Sequence, residues 1–280
     1  MIDYNDIETA VINPIHTQAQ SSIQVQEIKP AQTRNNLKDV KDQSLLEFTI
    51  IVAGAAFLSL NSGFINSICI IAHGQGVTHV TGSLTYFGIS LASNNTVMAL
   101  NYFCIICCYM FGASITGYFT TTATPFALGF EYGPLFIIGG ILLLIACIFE
   151  YSYNDNESAK SYLYVFFCAM GSGLQNGITT IYSNNVLRTT HMTGTATDIG
   201  LVLGKIAHAK NDEIWRLYVL VPSFITYFLG ACFGASIFNS WGKYSLTFSV
   251  VLFFFIGLLY MISVKKLQTK KQTDYVTIKY

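Results

Sequence analysis

Apolar residues in this chain do not alternate with polar ones; they come in long uninterrupted runs. Six runs, 48–72, 97–119, 135–149, 162–181, 217–238 and 246–264, approach the length of a membrane crossing. A bilayer core about 30 Å thick takes about 20 helical residues. Run 135–149 is short but extends back through Tyr132. Two further runs, 80–92 and 192–203, hold 13 and 12 residues rich in Gly, Ser and Thr, too few to cross comfortably. The pattern predicts an all-α fold: a polytopic transmembrane helix bundle with six long spans and two short re-entrant or broken segments. If the short segments cross, there are eight crossings.

The same pattern repeats. Gly63-Phe64-Ile65-Asn66 answers Gly173-Leu174-Gln175-Asn176 at an offset of 110. His79-Val80-Thr81-Gly82-Ser83 answers His191-Met192-Thr193-Gly194-Thr195 at 112, and Phe111-Gly112-Ala113-Ser114-Ile115 recurs as Phe233-Gly234-Ala235-Ser236-Ile237 at 122. Three matches in one order predict two homologous halves, 45–150 and 158–264. Each reads long run, short Gly-rich run, long run, long run. Three spans per half is odd, so the halves are expected to be inverted, an arrangement frequent in secondary transporters.

Charge sharpens this picture. Charged residues are 11% of the chain, and 13 of the 30 fall within 48–264. A soluble domain carries about a quarter, so an ordinary soluble enzyme, a disordered chain and a disulfide scaffold are poor fits; mean hydropathy is +0.48. Formal net charge is zero, so no basic field points to nucleic acid. Residues 1–44 are polar and Gln-rich and are read as a disordered cytosolic tail. Residues 265–280 form a basic cytosolic tail with five lysines. By the positive-inside rule both termini are cytoplasmic, in the inner (plasma) membrane of the cell, and the number of crossings is even. Met1 to Glu8 hold no basic n-region, so a cleaved secretory signal is not expected. The seven cysteines all lie inside apolar runs and read as buried free thiols.

The paired motifs carry a resemblance. Gly63-Phe64-Ile65-Asn66 with His79-Val80-Thr81-Gly82-Ser83, and Gly173-Leu174-Gln175-Asn176 with Thr189-Thr190-His191-Met192-Thr193-Gly194-Thr195, are similar to the YoaK-type family of bacterial membrane proteins. That family is classed as a domain of unknown function, and the likeness covers roughly residues 45–265. It implies the fold more than an activity. Asn66 stands where the family often has Asp, and Ser83 where it often has Asn; if that acid serves ion coupling, the resemblance implies a different coupling here or none.

The residues also speak for themselves. A short polar helix beginning Thr-Gly presents free N–H groups, which attract anions and which Ser or Thr can cap. Two of them at mid-membrane would form a pseudo-symmetric site from His79, Thr81, Gly82 and Ser83 with His191, Thr193, Gly194 and Thr195. The alternative is two tight turns whose glycines permit close packing. Asn66, Gln175 and Asn176 either line that cavity or fasten the bundle. Arg188 either holds a substrate anion in a bidentate fork or marks a helix end at lipid phosphates. Asp198 follows His191 by seven positions, so both share a helical face. It is either a proton- or ion-coupling group or an interfacial acid paired with Lys205 or Arg188. His79 and His191, with His73, could carry a proton.

No Walker motif, dinucleotide fingerprint, HExxH or nucleophile elbow is present, and Cys104, Cys107 and Cys108 lack the companions a zinc site needs. No cofactor, metal or catalytic residue is expected, and the chain is not read as an enzyme. Gly112, Gly117, Gly230 and Gly234 are expected at close helix crossings. The expectation is a secondary transporter or permease for a small polar solute, with the lipid bilayer as its surroundings and room for a homo-oligomer. The alternative is a non-transporting scaffold or assembly partner.

Overall fold

The computed structural model describes residues 45–121, 123, 129–152, 158–183, 185–209 and 211–278. The polar tail 1–44 lies outside them. The chain divides into two units, Met1–Phe48 and Thr49–Tyr280. Of the first, only the opening residues of a helix are described; the architecture below belongs to the second.

The described residues form eight α-helices and no strand: α1 Leu45–His73, α2 Val80–Ala92, α3 Thr96–Phe119, α4 Tyr132–Tyr151, α5 Ser158–Tyr182, α6 Met192–Ala207, α7 Ile214–Trp241 and, after a 3-10 turn at Gly242–Tyr244, α8 Thr247–Ile278. Every predicted run is a helix. α6 runs four residues beyond its expected end at 203, and α8 continues through the basic stretch. Local chemistry sets the ends. Gly74 follows α1 at φ +68° and Gly242 follows α7 at φ +55°, left-handed positions that glycine takes without strain. Asn95 opens α3, its side chain accepting from the Met98 N–H.

Five helical stretches are long and apolar enough to cross a membrane: Val52–His73, Thr96–Phe119, Tyr132–Tyr151, Ile214–Tyr244 and Thr247–Lys265. The sixth expected span, α5, has 25 residues but falls short in apolarity. The physical reason is its position. Its Ser172, Gln175 and Thr179 are buried among neighbouring helices, where protein groups bond the Gln175 amide and the Thr179 hydroxyl.

Glycines place the helices against one another. A Cβ on Gly63 would run into the Tyr227 carbonyl, and one on Gly230 into the Leu60 carbonyl, so α1 and α7 touch backbone to backbone. A Cβ on Gly112 would strike the Met170 carbonyl, and one on Gly173 the Tyr109 carbonyl, which joins α3 to α5 in the same way. Gly234 packs on Phe64, whereas Gly117 faces open space and marks no crossing. Further along, Gly234 meets Phe64 and Gly177 meets Thr116, so over a longer stretch contact positions rise together (60 to 64 with 230 to 234, 109 to 116 with 173 to 177) and both pairs run parallel. α1 and α5 run antiparallel: Asn61 bonds to Gln175, while His73 lies against Tyr164. α4 and α8 are antiparallel too, Gly133 meeting Met261 and Gly139 meeting Phe253.

The core holds Phe64, Leu135, Leu143, Tyr164, Leu174 and Phe253 together with buried Ser59, Asn61, Gln175, Thr189 and Ser249. Leu100, Phe103, Met110, Phe111, Phe228, Val251 and Phe255 stand exposed. Polar groups inside and large apolar residues outside suit hydrocarbon rather than water. Of the seven thiols, Cys69, Cys147 and Cys168 are buried as expected, but Cys107 and Cys232 lie on that outer surface.

Candidate functional site

After α1 ends, the chain turns back into the bundle. The N–H groups of Val77 and Thr78 donate to Oδ1 of Asn66, at 3.0 and 3.1 Å. Asn66 lies seven residues before the end of α1, about 10 Å of helix rise. The Thr78 hydroxyl bonds the Tyr227 hydroxyl at 2.8 Å, halfway along α7. α2 therefore starts deep among the helices. Its 13 residues rise about 20 Å, enough to return to the surface it came from but not to cross.

The second half does the same. The Thr190 N–H donates to Oδ1 of Asn176 at 3.3 Å, and the Thr190 hydroxyl meets the Tyr109 hydroxyl at 2.7 Å, midway along α3. α6 then starts at His191. Asn66, Thr78 and Tyr227 in one place thus have counterparts Asn176, Thr190 and Tyr109 in the other. The first two differ by 110 and 112; the tyrosines differ by 118, as do Gly112 and Gly230. The identical pentapeptides at 111–115 and 233–237 stand one helical turn out of step with these contacts.

Both short helices open on a histidine at the N-cap, and neither makes a side-chain cap bond. Each imidazole instead lies over the glycine three residues on. A Cβ on Gly82 would sit 2.8 Å from the His79 ring, and one on Gly194 would overlap the His191 ring. That is the local reason for glycine in both motifs. The first N–H groups of each helix are left without a side-chain cap. Thr81 and Thr193 are exposed, whereas Ser83 and Thr195 are buried. The Thr195 hydroxyl donates to the His191 carbonyl at 3.1 Å, and the Ser83 hydroxyl reaches the Gly76 carbonyl at 3.5 Å.

Gln175 ties the centre together. Its Nε2 donates to the Leu58 carbonyl and the Ser62 hydroxyl, both at 2.7 Å, and its Oε1 accepts from Asn61 Nδ2 at 3.0 Å. Ser249 of α8 donates to Asn61 Oδ1 at 2.8 Å. Gln175 is fully buried, so its amide is occupied in joining α1, α5 and α8. The antiparallel pairing of α1 and α5 sets Asn66 level with about Gly171, so the two loop anchors differ by about 8 Å in depth. The structure gathers Asn66, Asn176, Gln175 and the residues before each motif into this central region. No hydrogen bond or ion pair among the described residues joins 79–83 directly to 191–195.

Asp198 has a different partner from either expected one. Its Oδ2 receives Arg216 Nη2 at 3.0 Å; the other arm of Arg216 binds Glu213 at 3.1 Å, and Glu213 also binds Lys205. Two cations and two anions close a neutral chain between α6 and α7. The Lys205 ammonium, with Arg216 adding to it, holds the Glu213 carboxyl below its ordinary value of 4.5. Arg188 is exposed at the start of the motif loop. At the place matching Asp198, Tyr86 stacks on Tyr102 with ring centroids 5.3 Å apart.

Sequence reasoning passed over Glu150. It closes the third apolar run and reads as a flanking residue, yet it is buried. It is also the one carboxylate within the five candidate spans. Its Oε2 lies 3.1 Å from His73 Nε2. The available signal was the spacing: an acid only one residue short of the helix end, with no basic neighbour in sequence.

No curated protein and no solved structure matches the chain. The family described as "Protein of unknown function (DUF1275)" matches residues 54–259, the eight-helix region that holds both re-entering loops. With well over half of its length matched, the chain belongs to that family.

Proposed function

We propose that this is a multi-pass membrane protein of two duplicated, inverted halves that moves a small polar solute by alternating access. The observation that carries this reading is the pair of loops. Each doubles back beside an asparagine, is fastened to a tyrosine halfway along a long helix, and delivers an uncapped helix N-terminus into the bundle. Equivalent helices running antiparallel, α1 to α5 and α4 to α8, support the inversion. With α5 as a sixth span and α2 and α6 re-entrant, both termini are cytoplasmic, in the inner (plasma) membrane. The backbone N–H groups of the two motifs, with Thr81 and Thr193, bind acceptor groups of the solute. His79 and His191 flank them. Asn66 and Asn176 set loop depth, and the Asp198–Arg216 chain holds α6 on α7 as it moves. The chain does no covalent chemistry.

A second reading is favoured by Gln175, whose amide is spent on helix-to-helix bonds: a scaffold in which the polar interior only fastens the bundle. A thermal-stability screen of the purified protein against small metabolites separates the two, run beside a His79→Ala/His191→Ala variant. Stabilisation grows with ligand concentration over Kd. A transporter gives a shift with at least one compound class, lost in the variant. A scaffold gives none at millimolar concentration, and uptake by reconstituted vesicles then stays at background.

A further inference from the structure

We propose that the second re-entering loop holds the oxyanion of the solute, a carboxylate or a phosphate group, in a site that Ser59 and Ser223 complete. The inference names the class of solute and rests on the reading that the loops bind one. Glu213, Arg216, Ser223, Tyr227 and Gly230 fall on one face of α7. The first two bind α6 through Lys205 and Asp198. The last two meet the first half, Tyr227 at the Thr78 hydroxyl and Gly230 at the Leu60 carbonyl. Ser223 stands between them, where α6 gives way to α1. Pairing of 205 with 213 and 198 with 216 makes α6 and α7 antiparallel. Two turns up α7 from Arg216 is Ser223, and two turns back along α6 from Asp198 is His191, the N-cap. Ser223 is therefore level with the opening of α6 and on the face turned towards it.

Gly63 meets Tyr227, and one turn back along these two parallel helices lie Ser59 and Ser223. Both serines are buried, at 0% and 2% exposure, and neither hydroxyl has a hydrogen-bond partner among the described residues. Buried hydroxyls are normally paired, and the packing does not ask for these two. At the matching crossing Gly173 meets Tyr109, and one turn back lie Ala169 and Ile105, both apolar and buried. The groups beside the serines are donors. α6 opens without a side-chain cap, so its first N–H groups are open to a ligand. Arg188, three residues before His191, is exposed and makes no hydrogen bond or ion pair among the described residues; its charge reaches the Tyr109 hydroxyl. The nearest acid in sequence, Asp198, is held by Arg216. A guanidinium, helix N–H groups and hydroxyls with no free carboxylate among them fit an oxyanion. The first loop has Gly76 in place of Arg188 and lacks this charge.

The experiment melts the purified full-length protein in detergent with sodium phosphate or sodium acetate, against sodium chloride of equal ionic strength. At least one oxyanion should raise the melting temperature saturably above the chloride value. Ser223→Ala and Arg188→Gln should each raise the concentration that gives half the shift by about tenfold or more. In chloride alone, Ser59→Ala and Ser223→Ala should melt no lower than the unaltered protein, because each removes a hydroxyl that has no partner inside the chain. A serine variant that melts lower in chloride shows its hydroxyl bonded within the bundle and overturns the proposal. So does a half-maximal concentration that Ser223→Ala leaves unchanged, or a shift produced only by added phosphatidylglycerol, a lipid headgroup in place of a solute. If neither salt shifts the melt while reconstituted vesicles take up an uncharged solute, the transport reading stands and this inference falls. If the oxyanions bind as expected and the vesicles move neither, the site stands without transport.

Discussion

The two re-entering segments share a support and differ in what they present. Each loop is held by an asparagine amide and a threonine–tyrosine hydroxyl pair, and each short helix opens on a histidine folded over a glycine. Beyond that frame they part. In the first half Gly76 stands where the second has Arg188, and the His79 ring occupies the space a side chain at 76 would need. α2 leans on α3 through stacked Tyr86 and Tyr102, whereas α6 is bound to α7 by the chain of Asp198, Arg216, Glu213 and Lys205. The frame is what any occupant of either loop needs; the charge sits on one side alone. Asymmetry of this kind lets two similar segments respond differently to one stimulus.

The frame breaks most readily at its backbone contacts. Gly112→Ala and Gly230→Ala each push a methyl into a carbonyl of the facing helix, where no rotamer change relieves the overlap. Overpacking ordinarily costs about 1–3 kcal/mol, and backbone contact places these at about 3 kcal/mol or more. Both variants should lose most folded protein after detergent extraction, read by size-exclusion chromatography. Gly117→Ala, in open space, should extract normally. Equal behaviour of all three would show that the crossings do not depend on these glycines.

The loop anchors sharpen the comparison. Asn66 accepts two backbone N–H groups and Asn176 accepts one. A buried donor left unpaired costs about 1–3 kcal/mol. Asn66→Ala should therefore destabilise by about 2 kcal/mol and Asn176→Ala by about 1 kcal/mol, measured as melting shifts in detergent. Their order is the test: if Asn176→Ala is the more damaging, the first loop is held by something other than Asn66.

Much of this frame was legible in the sequence, because helix runs and paired motifs are local. The eight helices, the matched Asn66 and Asn176, and both His–x–Thr–Gly openings follow from the pattern of residues. The register of α7 against α1 did not. A shift of four residues returns nearly the same helical face, so the pentapeptide match at 122 and the contact register at 118 look alike until Tyr227 finds Thr78. Partners were the other blind spot. Arg216 lies eighteen residues from Asp198, beyond a turn, and Glu150 lies seventy-seven from His73. Neither distance leaves a periodic trace. The interior polarity of α5 was visible as Gln175 and Asn176, but only the packing shows how fully Gln175 is used.

Acid should separate the halves. The Glu213 carboxyl, held below its ordinary 4.5 by Lys205 first and Arg216 after, favours its ionised form when folded. Its contribution is complete above pH 4.5 and is lost as pH falls through the lower folded value. Because Glu213 is partly exposed, the effect is modest. Amide exchange, corrected for its intrinsic pH dependence, should rise in 192–216 below pH 4.5 and stay unchanged in 80–102, where a tyrosine stack does the same work. A rise of equal size in both would trace the change to the whole bundle. In Lys205→Ala the rise should shrink, because the folded value returns towards 4.5.

The smallest difference lies in the turns after the short helices. Asn94 follows α2 at φ +56° and Ala209 follows α6 at φ +58°. Asparagine visits this left-handed region more readily, while alanine's Cβ crowds the following carbonyl oxygen there at a cost of roughly 1 kcal/mol. Glycine removes the clash but adds freedom to the unfolded chain, so the two effects oppose each other. Ala209→Gly should stabilise by about 0.5 kcal/mol, and Ala209→Asn by a similar or slightly smaller amount. Asn94→Ala, imposing on the first half what the second already carries, should destabilise by about as much. The three melts, taken together, test whether Ala209 is strained by the clamp beside it. If Ala209→Gly instead lowers the melting temperature, the left-handed turn is not where α6 and α7 store their strain, and the asymmetry between the halves rests on the ion chain alone.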